Sequence, residues 1–175
     1  MEINIDELTT IVKNTLSEKR FIHTLGVAKL ARELATYNHI DPDKAYIAGL
    51  LHDVTKEMDE SWQDQMLTKY NDTVKIKAPR KIKHSYTAKY YAMEKFNITD
   101  EDILDAMYNH TICMSDKPLA KIIYIADKRE EGRKLDNKEV EVAKYDLDKA
   151  YRMVKDDVSK YLELKGNVKP IKEYY

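Results

Sequence analysis

Residues 41–56 read DPDKAYIAGLLHDVTK, and the change of character along this stretch decides the fold. Asp41 followed by Pro42 is a helix start: the carboxylate accepts from orphan N–H groups, and proline at the first helical position forfeits no bond. Ala45 to Leu51 then form a segment that is apolar on nearly every side, the mark of a helix in the middle of a core. His52 and Asp53 follow, in a helix expected to run on to Lys56. Burying such a polar pair without partners costs on the order of several kcal/mol. Metal coordination offsets that cost, and so does a closed hydrogen-bond network.

Working outward, helical spacing predicts a helix over 5–16 through Leu8, Ile11, Val12 and Leu16. A second runs from 18 or 19 to 37, where Ala28, Ala31 and Ala35 with Leu30 and Leu34 suggest a closely packed stripe. Gly26 inside it costs roughly 1 kcal/mol against alanine, and a close approach by a helix or a ligand would account for it. Trp62, Met66 and Leu67 suggest a short helix, and APRKIK at 78–83 reads as a loop. A helix is expected over 84–96. A Thr99–Asp102 capping box starts another, which ends near His110. Pro118 opens KPLAKIIYIADKREE, and a last helix is expected over 136–165, stopped by Gly166. The fold class is therefore all-α. The length suits one domain with a sizeable core, divided into a bundle at about 18–134, the C-terminal helix and a tail over 166–175.

The 30 basic and 31 acidic residues leave a formal charge of −1. That balance provides no field to draw in a nucleic acid polymer. Four glycines and four prolines favour helices over turns and strands. Cys113, the one cysteine, forms no intramolecular disulfide, which fits a reducing compartment. The start MEINIDELTT lacks a basic and an apolar signal region. No apolar run approaches the ~20 residues of a membrane span. The expectation is a cytoplasmic protein without a membrane partner.

His23, His52–Asp53, His84, His110 and Asp127 form an ordered series that takes up four of the five histidines. These residue types supply nitrogen and oxygen ligands to borderline divalent metals, and the set has room for two ions. A single histidine of this kind is more often structural; the set together points to metal. His39, beside the Asp41–Pro42 turn, reads as a surface loop residue. Adjacent helical residues point about 100° apart. His52 and Asp53 can still serve one cluster if His52 reaches one ion and Asp53 bridges two. Arg20, three residues before His23, and Lys56, three after Asp53, each fall one turn from a ligand. Either cation alone is more often a solvated surface charge; beside a metal site, both are placed to meet an anionic ligand.

This series, with the strings RFIHTLGVAKLARELA, KAYIAGLLHDVTK, ITDEDILDAMYNHT and LAKIIYIAD, resembles the HD-domain superfamily of metal-dependent phosphohydrolases. Within it, the chain is similar to the YqeK family of bacterial symmetrical diadenosine tetraphosphate hydrolases, from about Arg20 to Arg133. The resemblance implies an HD-domain helical bundle and an iron-dependent enzyme that releases two ADP. It implies His23, His52, Asp53 and Asp127 as ligands of one ion, with Asp53 bridging to a second held by His84 and His110. Iron is foremost among the two divalent ions, and a His-rich mixed site also accepts Mn, Co or Zn. Asp53 and Lys56 are the catalytic expectation, with a hydroxide between the ions attacking one phosphorus in line. Arg20, His23, Lys56, His84, His110, Asp127 and Arg133 are the expected substrate contacts, with Thr111 a weaker one.

KHSYTAKYYA, HTIC and KREEGR depart from the family around the expected pocket, which bears on substrate preference more than on metal binding. A nucleoside 5′-monophosphatase and a guanosine tetraphosphate hydrolase are alternatives on the same site. So is a nucleotide-binding sensor without turnover, although the intact ligand set argues against it. The expected partner is a small-molecule dinucleoside polyphosphate or nucleotide, and a homodimer is compatible with it. In the tail, Lys169, Pro170, Lys172, Tyr174 and Tyr175 read first as a frayed terminus. The functional alternative is a flap whose tyrosines stack on a nucleobase while a lysine meets phosphate.

Overall fold

A computed structural model describes residues 4–133 and 138–165. Among these residues there is no strand. α1 (Ile5–Thr15) starts on Asn4, whose side chain accepts from the N–H groups of Asp6 and Glu7. α2 (Glu18–Tyr37) starts on Ser17 and stops where His39 turns the chain at φ 57. His39 is exposed in that left-handed position, on the surface as expected. α3 (Pro42–Leu51) starts on Asp41, which accepts from Asp43 and Lys44. Then come α4 (Glu60–Lys69), a short 3₁₀ turn (Thr73–Lys77), α5 (Arg80–Phe96), α6 (Glu101–Asn109) and α7 (Pro118–Arg129). A second 3₁₀ turn (Glu131–Arg133), α8 (Lys138–Ala143) and α9 (Leu147–Leu164) complete the described chain.

α3 is the centre of the core: every residue from Ala45 to Leu51 is buried. α2 lies against it so closely that a Cβ on Gly49 would stand 2.7 Å from Ala28 Cα. The alanine stripe of α2 thus meets the one position of α3 with no side chain at all. α6 and α7 close the other sides with Met107, Ile122, Ile123 and Ile125, none of them exposed to solvent. Each such side chain contributes roughly 1.5–3 kcal/mol by burial. A second, smaller cluster of Leu67, Ala78, Ile82 and Tyr86 joins α4, the first 3₁₀ turn and α5. At its edge the hydroxyls of Tyr90 and Tyr108 both donate to Asp72 Oδ2, at 2.9 and 2.8 Å.

Four boundaries differ from expectation. α3 ends at Leu51 rather than Lys56. Beyond it Val54, Lys56 and Met58 bond back to Leu51, Asp53 and Thr55, three residues away, and the chain tightens into turns. α5 begins at Arg80, inside the stretch read as a loop, where the single Pro79 carbonyl accepts from the N–H groups of both Ile82 and Lys83. Lys83 is buried there and bonded to Glu60 Oε1 at 3.0 Å and Asp64 Oδ1 at 2.6 Å, so a basic run becomes a packed turn. α6 is capped by Asp100 rather than Thr99. The single helix expected over 136–165 is two, and Asp146 caps the second by accepting from Lys149 N–H. α7 is tied to both by Arg129, whose buried guanidinium reaches Glu139 on α8 at 3.3 Å and Asp157 on α9 at 2.6 Å.

Candidate metal centre

The core brings all six members of the series to one place. His23 comes from the second turn of α2, His52 and Asp53 from the turn ending α3, and His84 from the first turns of α5. His110 lies just past α6, and Asp127 near the end of α7. Their rings form a chain, with centroids 5.6 Å apart for His23–His52, 4.9 Å for His52–His110 and 5.0 Å for His84–His110. Asp53 stands in the middle and divides its two oxygens. Oδ1 lies 3.0 Å from His84 Nε2 and 3.4 Å from His110 Nε2. Oδ2 lies 3.6 Å from His52 Nε2 and 3.9 Å from His23 Nε2. Asp127 Oδ1 lies 3.2 Å from His23 Nε2 and 3.9 Å from His52 Nε2.

Three rings are held from behind. His52 Nδ1 donates to Gly49 O at 2.6 Å and His110 Nδ1 to Met107 O at 2.7 Å, since a carbonyl only accepts. His23 Nδ1 pairs with Glu130 Oε1 at 3.0 Å. The opposite nitrogen of each ring then presents a lone pair to the cluster, the tautomer a metal ligand needs. His23 Nε2 and His52 Nε2 are buried with no hydrogen-bond partner. Buried polar atoms are rarely left so. Three subsets (His23, His52, Asp53; His52, His110, Asp127; Asp53, His84, His110) hold their ligand atoms within 4.8 Å of one another. Orphaned nitrogens, fixed tautomers and a mixed nitrogen–oxygen donor set all fit a divalent metal.

Electrostatics agree with that. Burial pushes the His52 imidazole down to about 4, with the neighbouring His110 adding to the shift and Asp53 opposing it. His84 and His110 are also pushed down by burial, against the pull of Asp53. Burial works to raise Asp53 and Asp127. The surrounding His52, His110 and His84 in the first case, and Lys128 and His23 in the second, hold both well below the usual carboxylate range. Neutral imidazoles facing ionised carboxylates are the ligand states that bind a cation. His23 differs: burial lowers it, but Asp127 and Glu130 outweigh burial and raise it.

A rim of cations surrounds the cluster. Arg20 donates to Asp53 Oδ2 at 2.8 Å, Arg133 to Asp127 Oδ1 at 2.9 Å, and Lys128 pairs with Asp127 Oδ2. Lys56 Nζ lies 3.0 Å from His84 Nε2 and 4.0 Å from Asp53 Oδ1. A cavity of about 420 Å³ opens beside His23 between Arg20, Ile22 and Arg133. Another, of about 330 Å³, lies behind Gly26 between Lys29, Arg129 and Lys144 and holds none of the six. Thr111 Oγ1 is buried without a partner. The five tail residues, Lys169, Pro170, Lys172, Tyr174 and Tyr175, lie outside the described residues. Sequence reasoning missed Lys128 and Glu130. The signal for Glu130 was present in Gly26, whose close approach proves to be the Glu130 carboxylate, 2.8 Å from where a Cβ would stand.

The HD domain family model matches residues 20–132, and the chain belongs to that family. It is 34% identical over 136 residues to a Bacillus subtilis protein named bis(5′-nucleosyl)-tetraphosphatase, symmetrical, covering 75% of this chain and 72% of the relative. It is 35% identical over 162 residues to a Mycoplasma genitalium protein named probable nicotinate-nucleotide adenylyltransferase/Ap4A hydrolase, covering 85% of this chain. The match spans only 45% of that longer relative. Among solved structures, a predicted HD superfamily hydrolase involved in NAD metabolism from Clostridium acetobutylicum superposes with a TM-score of 0.82 at 34% identity. That match covers 93% of this chain and 89% of the other. No helix among the described residues is long and apolar enough to cross a membrane.

Proposed function

We propose that the chain hydrolyses diadenosine tetraphosphate symmetrically to two molecules of ADP, with two divalent metal ions, iron foremost, held by the six-residue cluster. The observation that carries the reading is the division of Asp53. One oxygen faces His23 and His52 and the other faces His84 and His110. A carboxylate so placed suits a bridge between two ions, with Asp127 completing the His23–His52 side. The symmetrical tetraphosphatase name of the Bacillus relative, at 34% identity, supports the substrate.

When bound, such ions neutralise phosphate charge and lower the pKa of a neighbouring water toward neutrality. The protein's own groups do the rest. His52 and His110 are locked by backbone carbonyls and need no reorientation to bind. Arg20 and Arg133 sit on the cavity wall, where their guanidiniums can exchange a carboxylate for a bidentate grip on phosphate oxygens. Lys56, half-exposed between Asp53 and His84, places an ammonium where charge grows on the attacked phosphoryl group. Water adds to phosphorus, the P–O–P bridge breaks and ADP leaves as an anion, so the step requires no dedicated acid. The test is a nucleotide panel with the Fe²⁺- or Mn²⁺-loaded protein, products resolved by chromatography. ADP alone from diadenosine tetraphosphate is expected. ATP plus AMP, or turnover confined to nucleoside monophosphates or guanosine tetraphosphate, would remove this reading.

A further inference from the structure

Glu130 is a buried carboxylate whose room is made by two glycines. Its Oε1 lies 3.0 Å from His23 Nδ1, and its Oε2 accepts from the Gly132 N–H at 2.6 Å. A Cβ on Gly26 or on Gly132 would each stand 2.8 Å from Oε2. So α2 and the second 3₁₀ turn both lack side chains where the carboxylate enters. His52 and His110 donate to neutral backbone carbonyls, whereas His23 alone of these three is backed by a carboxylate. His23 is also the less enclosed ring, on the cavity wall, with a Nε2 that finds no hydrogen bond. An unrestrained imidazole there could rotate or switch tautomer; a carboxylate behind it prevents both and makes the opposite nitrogen a stronger donor.

We propose that Glu130 is a positioning residue that fixes His23 as a metal ligand through Nε2, with Gly26 and Gly132 reserved to admit it. This rests on the reading of His23 as a ligand, and the test separates the two. Zinc, a diamagnetic probe, is titrated into the metal-free protein, and the His23 ring is followed by ¹H–¹⁵N correlation spectroscopy. In the zinc-loaded wild type, His23 should show a protected Nδ1–H and a metal-bound Nε2. Glu130→Gln keeps the size but offers one acceptor oxygen to two donors. Gly26→Ala keeps the carboxylate but pushes it aside. Each should weaken one zinc site about 10–100-fold, and the Nδ1–H should lose protection. His23→Ala should lose that ion altogether.

If His23→Ala binds zinc as the wild type does, the ligand reading itself falls, and the inference with it. If His23→Ala loses an ion while both other variants bind within about twofold and keep the Nδ1–H signal, the ligand reading stands and Glu130 has no positioning role. Should either variant fail to fold, the wild-type spectrum decides: a zinc-loaded His23 without a protected Nδ1–H overturns the proposal.

Discussion

At the scale of single residues, Asp53 carries the most. Asn in its place keeps the shape, but cannot present two anionic oxygens to His84–His110 on one side and His23–His52 on the other. Asp53→Asn is expected to lower metal content by one or more ions per chain, measured by elemental analysis. Turnover should fall by more than the roughly 10–100-fold typical of an outer partner. Normal metal content in that variant would remove the bridging role. Arg133 is a different case. Its guanidinium binds Asp127 through both carboxylate and backbone oxygens and borders the cavity. Arg133→Ala should retain the metal but reduce kcat/KM about 10-fold or more, the size expected for a hydrogen bond to a charged group. A variant with unchanged kcat/KM would show that substrate phosphates dock elsewhere.

At the scale of elements, the α2–α3 contact is the tightest joint that positions the site. Gly49→Ala would drive a methyl to 2.7 Å from the Ala28 backbone, which cannot rotate away. The expected cost is about 1–3 kcal/mol, read from the urea midpoint, since overpacked cores shift the backbone. The elements also show what a sequence reveals. α1, α2, α7 and the start of α3 were legible because apolar spacing lies within each segment and Asp41–Pro42 and Pro118 mark two of the starts. The six-residue cluster was legible because histidines and aspartates at the ends of apolar helices are carried into the core and must find partners there. The start of α5 was not legible: Lys83 is buried only because Glu60 and Asp64 come from α4, a partnership absent from local spacing. The gap between α8 and α9 was hidden in a continuous amphipathic pattern, although Asp146 is a normal cap residue. Glu130 was hidden because its neighbours in KREEGR are also charged, and only the fold selects which of them turns inward.

At the scale of the whole molecule, the site makes stability depend on pH and metal. In the metal-free protein the His52 pKa lies at about 4, below its ordinary 6.5, so the unfolded chain takes up its proton first as pH falls. Stability contributed by the neutral ring is complete above about 6.5 and is lost progressively toward 4. His84 and His110 shift in the same direction. His23 shifts upward and opposes them: its contribution is present below 6.5 and lost as pH rises through its folded value. Three rings outweigh one, so the urea midpoint of chelator-treated protein should fall between pH 6.5 and 4. A flat or rising midpoint would contradict neutral buried histidines. Metal should raise the midpoint, by about 4 kcal/mol of stability where free metal is a thousand times Kd.

Arg129 gives the chain a seam. One guanidinium holds both C-terminal helices to α7, through Glu139 on α8 and Asp157 on α9. Lysine, a single point of charge, cannot span those two carboxylates. In Arg129→Lys, amide hydrogens of α8 and α9 should therefore exchange with solvent earlier than those of α2 and α3, as a separate cooperative unit. The six cluster residues all lie on the other side of that seam, between His23 and Asp127. The last helices should then open in that variant while the cluster stays assembled, which would make durability and reactivity separately adjustable.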